Sequence, residues 1–367
     1  MPSICHLSSV HPLTDTRIRK ECSSIEELGN DISLIIQAKN DFTEKGLKIY
    51  GIPSFRNRLI RVIVGSFLLL RRAIKVDKEF YHFHDPELIP AGIILKILGK
   101  KVIYDIHEDL PRQILDKHWV PKSLRLPLSS IIERFENISV KSFDKLVCAT
   151  PHIAKRFSVI HKNVVTINNY PSLKEISLHS RTRNSYDALP IRLVYIGAIT
   201  EHRGIINILD SIKEINCVLE LGGSFESEEL HKLCLSHESW SKVNYHGYVG
   251  RKEFYKILEK SHIGLVIFHP ISNHIDAMPN KLFEFMSAGL PVICSDFPLW
   301  KDLVESNNVG TCVNPKENSE IESSITMYSV SQDLIQQHGR EGSRLVQDEF
   351  NWESQINKLS GLYNSES

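Results

Sequence analysis

The sequence predicts an α/β protein made of two doubly wound parallel-sheet domains, and three observations predict it. Short apolar, β-branched runs alternate with longer helix-like segments along nearly the whole chain. These runs are apolar throughout, as in strands covered on both faces, and not alternately polar, as in half-solvated ones. The length of 367 residues and 42.0 kDa exceeds one ordinary core, since single domains hold about 100–200 residues.

The first series of strand-like runs is "DISLIIQ" (31–37), "LKIYGI" (47–52), "FYHFH" (80–84), "KVIYDIH" (101–107), "KLVCAT" (145–150) and "VVTINN" (164–169), with one further strand before 9–18. Helical patterns at 86–98 and 123–140 separate some of them. The second series is "IRLVYIGAI" (191–199), "CVLELGGSF" (217–225), "VNYHGYV" (243–249), "IGLVIFHP" (263–270), "PVICSD" (291–296) and "VGTCVNP" (309–315). Between the two lies a polar stretch, 172–190, without a clear period. The predicted organisation is therefore a first domain over 1–171, a linker over 172–190, a second domain over 191–350 and a C-terminal segment over 351–367. In such sheets ligands bind beyond the carboxyl ends of the strands, so functional residues are expected just after the runs named, in a cleft between the domains.

Composition narrows the partners. Lys plus Arg and Asp plus Glu are 44 each, so net charge gives no sign of nucleic acid as a partner. The seven Cys are scattered singly and read as reduced core thiols of a cytoplasmic protein. No signal peptide is expected from "MPSICHLSSVHP", and no apolar run approaches the roughly 20 residues of a membrane span.

The most informative stretch is "DAMPNKLFEFMSAGLPVICSD" (276–296). Pro279 suits a first helical turn, where its missing N–H has no partner to lose. Leu282, Phe285 and Met286 make a buried stripe; Gly289 and Pro291 end the helix. The helix start then points out of the sheet with unpaired N–H groups and partial positive charge, to which Lys281 adds a full charge. That suits a diphosphate. Glu284, one turn further along, is placed to accept hydrogen bonds from a sugar diol. An ordinary amphipathic helix with a Lys281–Glu284 pair explains the same pattern equally well.

"PNKLFEFMSAGLPVICSD" resembles the donor-binding helix of retaining GT-B glycosyltransferases of family 4, and most of the chain is similar to that family, in particular to its bacterial polysaccharide branch. The fold the resemblance implies is GT-B: two Rossmann-like, doubly wound domains facing a central cleft. It implies that Glu284 hydrogen-bonds the nucleotide ribose. Asp276, eight positions earlier, stands where the family has a second Glu and would face the donor sugar. The backbone of Asn280 and Lys281, with Leu282 beside them, would hold the phosphates. "LVYIGAITEHRGI" (193–205) is similar to the strand and loop that carry the family's basic diphosphate residue, here Arg203, with Gly197 allowing close approach. Ala198 stands where many members have an Arg, and Lys281 would compensate. Gly222, Gly223 and Tyr248 match the base pocket, although a glycine after a strand is also merely a turn.

In the first domain, "FHDPELIPAGIILKILGKKVIYDIHEDLP" (83–111) is similar to the same branch. His107, at a strand end, would lie near the donor sugar and phosphate. His11, Asp15 and Arg17 in "SVHPLTDTRI" (9–18), with Glu108, are acceptor-side candidates, and a plain connecting loop explains the first three nearly as well. "NNYP" (168–171) would act at the hinge, and 351–363 as a helix crossing back to the first domain.

The activity implied is transfer of a sugar from a nucleotide-diphosphate sugar, UDP favoured and GDP next, to a hydroxyl, with retention. His107, Asp276, Arg203 and Lys281 form the catalytic set. Developing charge on the leaving diphosphate is met by Arg203, Lys281 and the helix start, so no metal and no cofactor is expected. "RNRLIRVIVGSFLLLRRAIK" (56–75) is basic and amphipathic. It suits the cytoplasmic face of an anionic membrane as well as it suits an ordinary solvated helix. The acceptor expected is a glycan or lipid-linked glycan in bacterial surface polysaccharide synthesis. Two alternatives use the same donor clamp: a nucleotide-sugar 2-epimerase and a non-catalytic nucleotide-sugar-binding protein.

Overall fold

The computed structural model describes residues 1–116, 120–175 and 190–364. The chain forms two compact units, Met1–Asn169 with Ser354–Ser367, and Tyr170–Glu353. The first boundary falls inside the "NNYP" stretch, and most of the predicted linker lies outside the described residues.

The first unit is an eight-stranded sheet in the order β3-β4-β2-β1-β5-β6-β7-β8. Its strands are β1 (Ser3–Pro12), β2 (Asp31–Gln37), β3 (Phe42–Glu44), β4 (Leu47–Ile52), β5 (Phe80–Phe83), β6 (Lys101–Ile106), β7 (Lys145–Cys148) and β8 (Val164–Thr166). All neighbours pair in parallel except β3 and β4. That hairpin departs from the expected all-parallel sheet. It turns on Lys45 and Gly46, both at positive φ (49° and 93°), the backbone twist that matches antiparallel strands. The order reverses between β1 and β5, so the loops after these two strands diverge to opposite faces of the sheet. One core packs Leu7, Tyr81, Phe83 and Tyr104 against Leu88, Leu95 and Phe143.

The basic segment 56–75 is a broken helix: a turn at Arg58–Ile60, a π-helical stretch at Arg61–Gly65 and a helix at Ser66–Val76. Gly65, Ser66, Leu69 and Ala73 are buried, while Leu59, Ile63 and Phe67 are 72%, 70% and 62% exposed.

The second unit is a six-stranded, wholly parallel sheet in the order β11-β10-β9-β12-β13-β14. Its strands are β9 (Ile191–Ile196), β10 (Cys217–Gly222), β11 (Val243–Tyr245), β12 (Ile263–Val266), β13 (Val292–Ser295) and β14 (Gly310–Val313). Two apolar cores cover its two faces, as runs apolar throughout require. Chain order reverses between β9 and β12, and the crevice beyond the ends of those two strands is where such a sheet binds nucleotides.

The helix Glu353–Gly361 starts at the last residue of the second unit and continues in the first. Within the first unit the chain that follows seats Tyr363, 3% exposed, against His6 and His82. All seven Cys are free, six of them buried, and no helix of the described residues is long and apolar enough to cross a membrane.

Candidate functional site

The loops leaving β9, β10 and β11 are stitched together by backbone hydrogen bonds. Gly197 N–H donates to the Gly222 carbonyl at 2.9 Å, and Gly223 N–H to the Gly247 carbonyl at 2.6 Å. The loops after β9 and β12 meet where His269 N–H donates to the His202 carbonyl at 2.8 Å. Thr200 caps the turn that carries Arg203, its hydroxyl accepting from Arg203 N–H at 3.1 Å. The Arg203 guanidinium lies over the Phe268 ring, 5.0 Å from its centroid, and makes no ion pair among the described residues. It stands beside Gly197, 3.5 Å from where a Cβ on that glycine would sit.

After β12 a short helix, Ser272–Ile275, ends at Asp276, which is exposed. The Ala277 carbonyl accepts from the buried Trp300 indole at 2.6 Å, which fixes the turn. The helix Asn280–Ser287 then begins on Pro279, with no side-chain cap. Leu282 N–H donates to the Pro279 carbonyl at 3.0 Å and its side chain is core, so Leu282 offers nothing to a ligand. The N–H groups of Asn280 and Lys281 have no acceptor among the described residues. Gly289, at φ 72°, ends the helix as expected.

Glu284 is 7% exposed and holds two cations. Lys281 Nζ lies 2.7 Å from Oε2, and the Arg251 guanidinium bonds Oε1 while its other end pairs with Glu175 at 2.6 Å. Burial alone would raise the Glu284 carboxyl; Lys281 and Arg251 outweigh it and hold it below the usual carboxylate range. Lys281 also sits over the Phe254 ring at 4.1 Å. Tyr248 is 84% exposed.

Arg251 was absent from the sequence-based set. The signal was present: it is the first residue of the helix Arg251–Lys260, an unfavourable place for a cation unless a carboxylate or an anion meets it.

In the first unit the rim holds His11, Asp15 and His107 together. His11 Nδ1 is 2.9 Å from Asp15 Oδ2 and its ring 5.1 Å from that of His107. Burial would lower His11, but the hydrogen bond to Asp15 and the nearby carboxylates raise it. Asp15 caps the helix Thr16–Glu27 through the N–H groups of Arg17 and Ile18. Glu108 is exposed, bonded to Gln113. Arg17 is not on the rim: it is 4% exposed and grips Asp105 at 3.0 and 2.9 Å. Asp85 is a further rim residue that the sequence reading did not select. It is 2% exposed and fixes the end of β1 by accepting from Ser8 Oγ and Ser9 N–H at 2.9 and 2.6 Å.

A six-stranded parallel sheet with the reversal at β9 and β12, and an open helix start beside it, is the arrangement in which doubly wound α/β sheets take ligands. Residues 180–342 match the family model described as glycosyl transferases group 1. No curated protein matches the chain by sequence. Among solved structures, the chain is similar to a sucrose-phosphate synthase from Thermosynechococcus elongatus (TM-score 0.75, 14% identity, 99% of this chain and 98% of that one). It is also similar to Anabaena HepE in complex with UDP-glucose (0.71, 12%, 99% and 99%) and to an α,α-trehalose-phosphate synthase from Burkholderia xenovorans (0.73, 11%, 100% and 100%). The fold is that of the GT-B glycosyltransferases, and together with the family match it supports a nucleotide-sugar glycosyltransferase.

Proposed function

We propose that the chain is a retaining, family 4 type glycosyltransferase that moves a sugar from a nucleotide-diphosphate sugar, UDP favoured, to a hydroxyl of a glycan or lipid-linked glycan in bacterial surface polysaccharide synthesis. The observation that carries the donor half is the helix Asn280–Ser287. Its start offers two N–H groups without acceptors, next to Lys281, and a buried carboxylate follows one turn inward. A phosphate and a ribose diol are separated by about the same 6 Å that four helical residues span.

In this reading the diphosphate lies against Asn280 and Lys281 and is met by Arg203, which makes no ion pair among the described residues. Glu284 takes the ribose. Gly222, Gly223 and Tyr248 line the base. The departing nucleoside diphosphate is stabilised by these preorganised charges, with no metal at the diphosphate. The acceptor hydroxyl attacks on the leaving-group face and gives its proton to the departing phosphate, so Asp276 orients the sugar and is not a nucleophile. His107, His11, Asp15 and Glu108 act on the first-unit side of the reaction; Arg17 serves there through Asp105.

The broken helix 58–76 favours a lipid-linked acceptor. Leu59, Ile63 and Phe67 are exposed in a row that Arg56, Arg71 and Lys75, also exposed, flank. Arg61 and Arg72 are paired with Glu87 and Asp41 and are part of the fold. Apolar side chains with a basic fringe suit the headgroup layer of an anionic membrane.

The test is a thermal-shift panel of UDP-, GDP-, ADP- and dTDP-sugars on wild type and Glu284→Ala without added metal. A ligand that binds only the folded state raises its stability by RT ln(1 + [L]/Kd), about 2.7 kcal/mol at a hundredfold excess over Kd. Stabilisation by one nucleotide family, lost in the variant, is expected. No shift with any donor would overturn the assignment of the helix as a donor clamp.

A further inference from the structure

The first unit contains a polar layer where a parallel sheet normally has an apolar one. His6 on β1 and His82 on β5 are register partners. His84 follows on the same face of the chain leaving β5, and Asp105 lies on β6. The helix Thr16–Glu27 covers them with Arg17 and Glu21, one turn apart, and the C-terminal segment covers them with Tyr363. His6, His82, Glu21 and Asp105 are wholly buried and His84 is 2% exposed.

Hydrogen-bond directions in this layer follow from one end. Asp105 is an acceptor only, ionised by its two bonds to Arg17. His84 Nδ1, 3.1 Å from Asp105 Oδ2, therefore donates. A neutral imidazole has one donor and one acceptor. His84 Nε2 then accepts from His6 Nδ1 at 2.9 Å. His6 Nε2 accepts from the Tyr363 hydroxyl at 3.0 Å, and that hydroxyl accepts from His82 Nδ1 at 2.7 Å. The chain ends on His82 Nε2 with a lone pair, no hydrogen and no partner.

That lone pair faces more acceptors. Both Glu21 oxygens lack a hydrogen-bond partner; Arg17 Nε is 3.1 Å from one of them, but its single hydrogen is directed at Asp105. Asp105 Oδ2 is 3.9 Å from His82 Nε2, and Glu21 Oε2 is 4.0 Å from His84 Nε2. One ligand atom from each of Glu21, His82, His84 and Asp105 lies within 4.8 Å of all the others. Buried acceptors directed at one point require a proton or a cation between them.

We propose that this point binds a divalent first-row transition metal, with His82 Nε2, Glu21 and Asp105 as ligands. An imidazole and carboxylates at this spacing suit zinc, manganese, iron or cobalt better than calcium or magnesium, which take oxygen alone. The ion would tie the helix Thr16–Glu27 to β5 and β6. It belongs to the first unit, where Asp105 also bonds His107 at 3.0 Å, and its presence is tested independently of the donor site.

The test uses the untagged full chain, expressed in medium supplemented with zinc, manganese, iron and cobalt. Metal content is measured by mass spectrometry after dialysis, and unfolding is followed with and without a strong chelator. About one equivalent of retained metal is expected, together with a lower Tm on chelation. Cobalt-loaded protein should show visible d–d absorption. Glu21→Gln should lose the metal while still being stabilised by a nucleotide-sugar in the second unit. Absence of metal, of cobalt bands and of any chelator effect in the wild-type chain would overturn the proposal. Full retention of metal by folded Glu21→Gln would place the ion elsewhere and overturn it too. If Glu21→Gln fails to fold, the wild-type cobalt spectrum decides.

Discussion

Arg203 and Arg251 pose the same electrostatic problem and solve it differently. Each sits at or just before a helix start, where the unpaired N–H groups disfavour a cation. Arg251 is compensated from within, by Glu284 and Glu175. Arg203 has no carboxylate among the described residues, which leaves its compensation to a ligand. The two positions were equally visible in the sequence, but only Arg203 lies in a stretch that resembles a known motif. Arg251 should nonetheless matter for donor binding, because it fixes the carboxylate that meets the ribose. Arg251→Ala is expected to weaken donor affinity by about tenfold to a hundredfold in calorimetry, the worth of about 1.5–3 kcal/mol carried by a charged hydrogen bond. Arg251→Lys should recover only part of that, since a point charge cannot hold Glu284 and Glu175 with one rigid fork. The sign of the pH effect follows from the same pair of cations. They hold the folded-state Glu284 carboxyl below its unfolded value, so its pairing contributes fully above the ordinary carboxylate range. That contribution is lost as pH falls through the depressed folded value. Unfolding of the Glu284→Gln chain should accordingly be less sensitive to acid than that of wild type.

At the scale of elements, strands and helices that are buried on one or both faces were legible, because burial imposes an apolar pattern. The runs at 31–37 and 47–52 coincide with β2 and β4, and the helix at 280–287 starts and stops on the predicted Pro279 and Gly289 signals. What was not legible lacks such a pattern. β3 is three residues long, largely exposed, and depends on the turn at Lys45 and Gly46 instead of on hydrophobicity. Arg17 reads as a loop residue until the sheet brings Asp105, 88 positions away, against it. The stitched loops of the second unit are an intermediate case: "LGGSF" signals a turn, but only the fold gives the reason for the second glycine. Gly223 has φ 140°, and a Cβ there would stand 1.7 Å from the Gly197 carbonyl oxygen. Gly223→Ala must therefore push the loops after β9 and β10 apart. A stability loss of about 1–3 kcal/mol is expected in denaturant unfolding, as for other strained backbone positions, accompanied by weaker donor binding. Gly250→Ala, where no atom lies within 4 Å of the new methyl group, is the matched control and should be close to neutral in stability.

For the whole molecule, the alternation of strands and helices conveyed the class, and a single polar interruption conveyed the division into two units. The path of the last residues was available only through resemblance, because "NWESQINKLSGLY" has no feature that says which unit it joins. The structure supplies the physical reason for its course. Leu359, Leu362 and Tyr363 are buried, the carbonyls of Gly361 and Leu362 accept from Lys145 at 3.0 and 2.9 Å, and the Tyr363 hydroxyl bridges His6 and His82. Each unit thus depends on a different part of the chain: the second is complete at Glu353, whereas the first is closed by residues more than 180 positions beyond its own boundary. Truncation after Glu353 should therefore act on one unit. Removing Tyr363 leaves two buried imidazoles short of a partner, at a cost of about 1–3 kcal/mol for each unsatisfied polar group, and the lost Leu and Tyr burial adds to it. Hydrogen exchange of the truncated chain is expected to lose protection in β1, β5 and β6 while β9, β10 and β12 keep theirs, and binding of the nucleotide-sugar to the second unit should persist. Tyr363→Phe separates the two contributions. It retains the packing and removes only the hydroxyl, so it should reproduce the exchange pattern at β1 and β5 with a smaller amplitude; an unchanged pattern would mean that the tail acts through apolar burial alone.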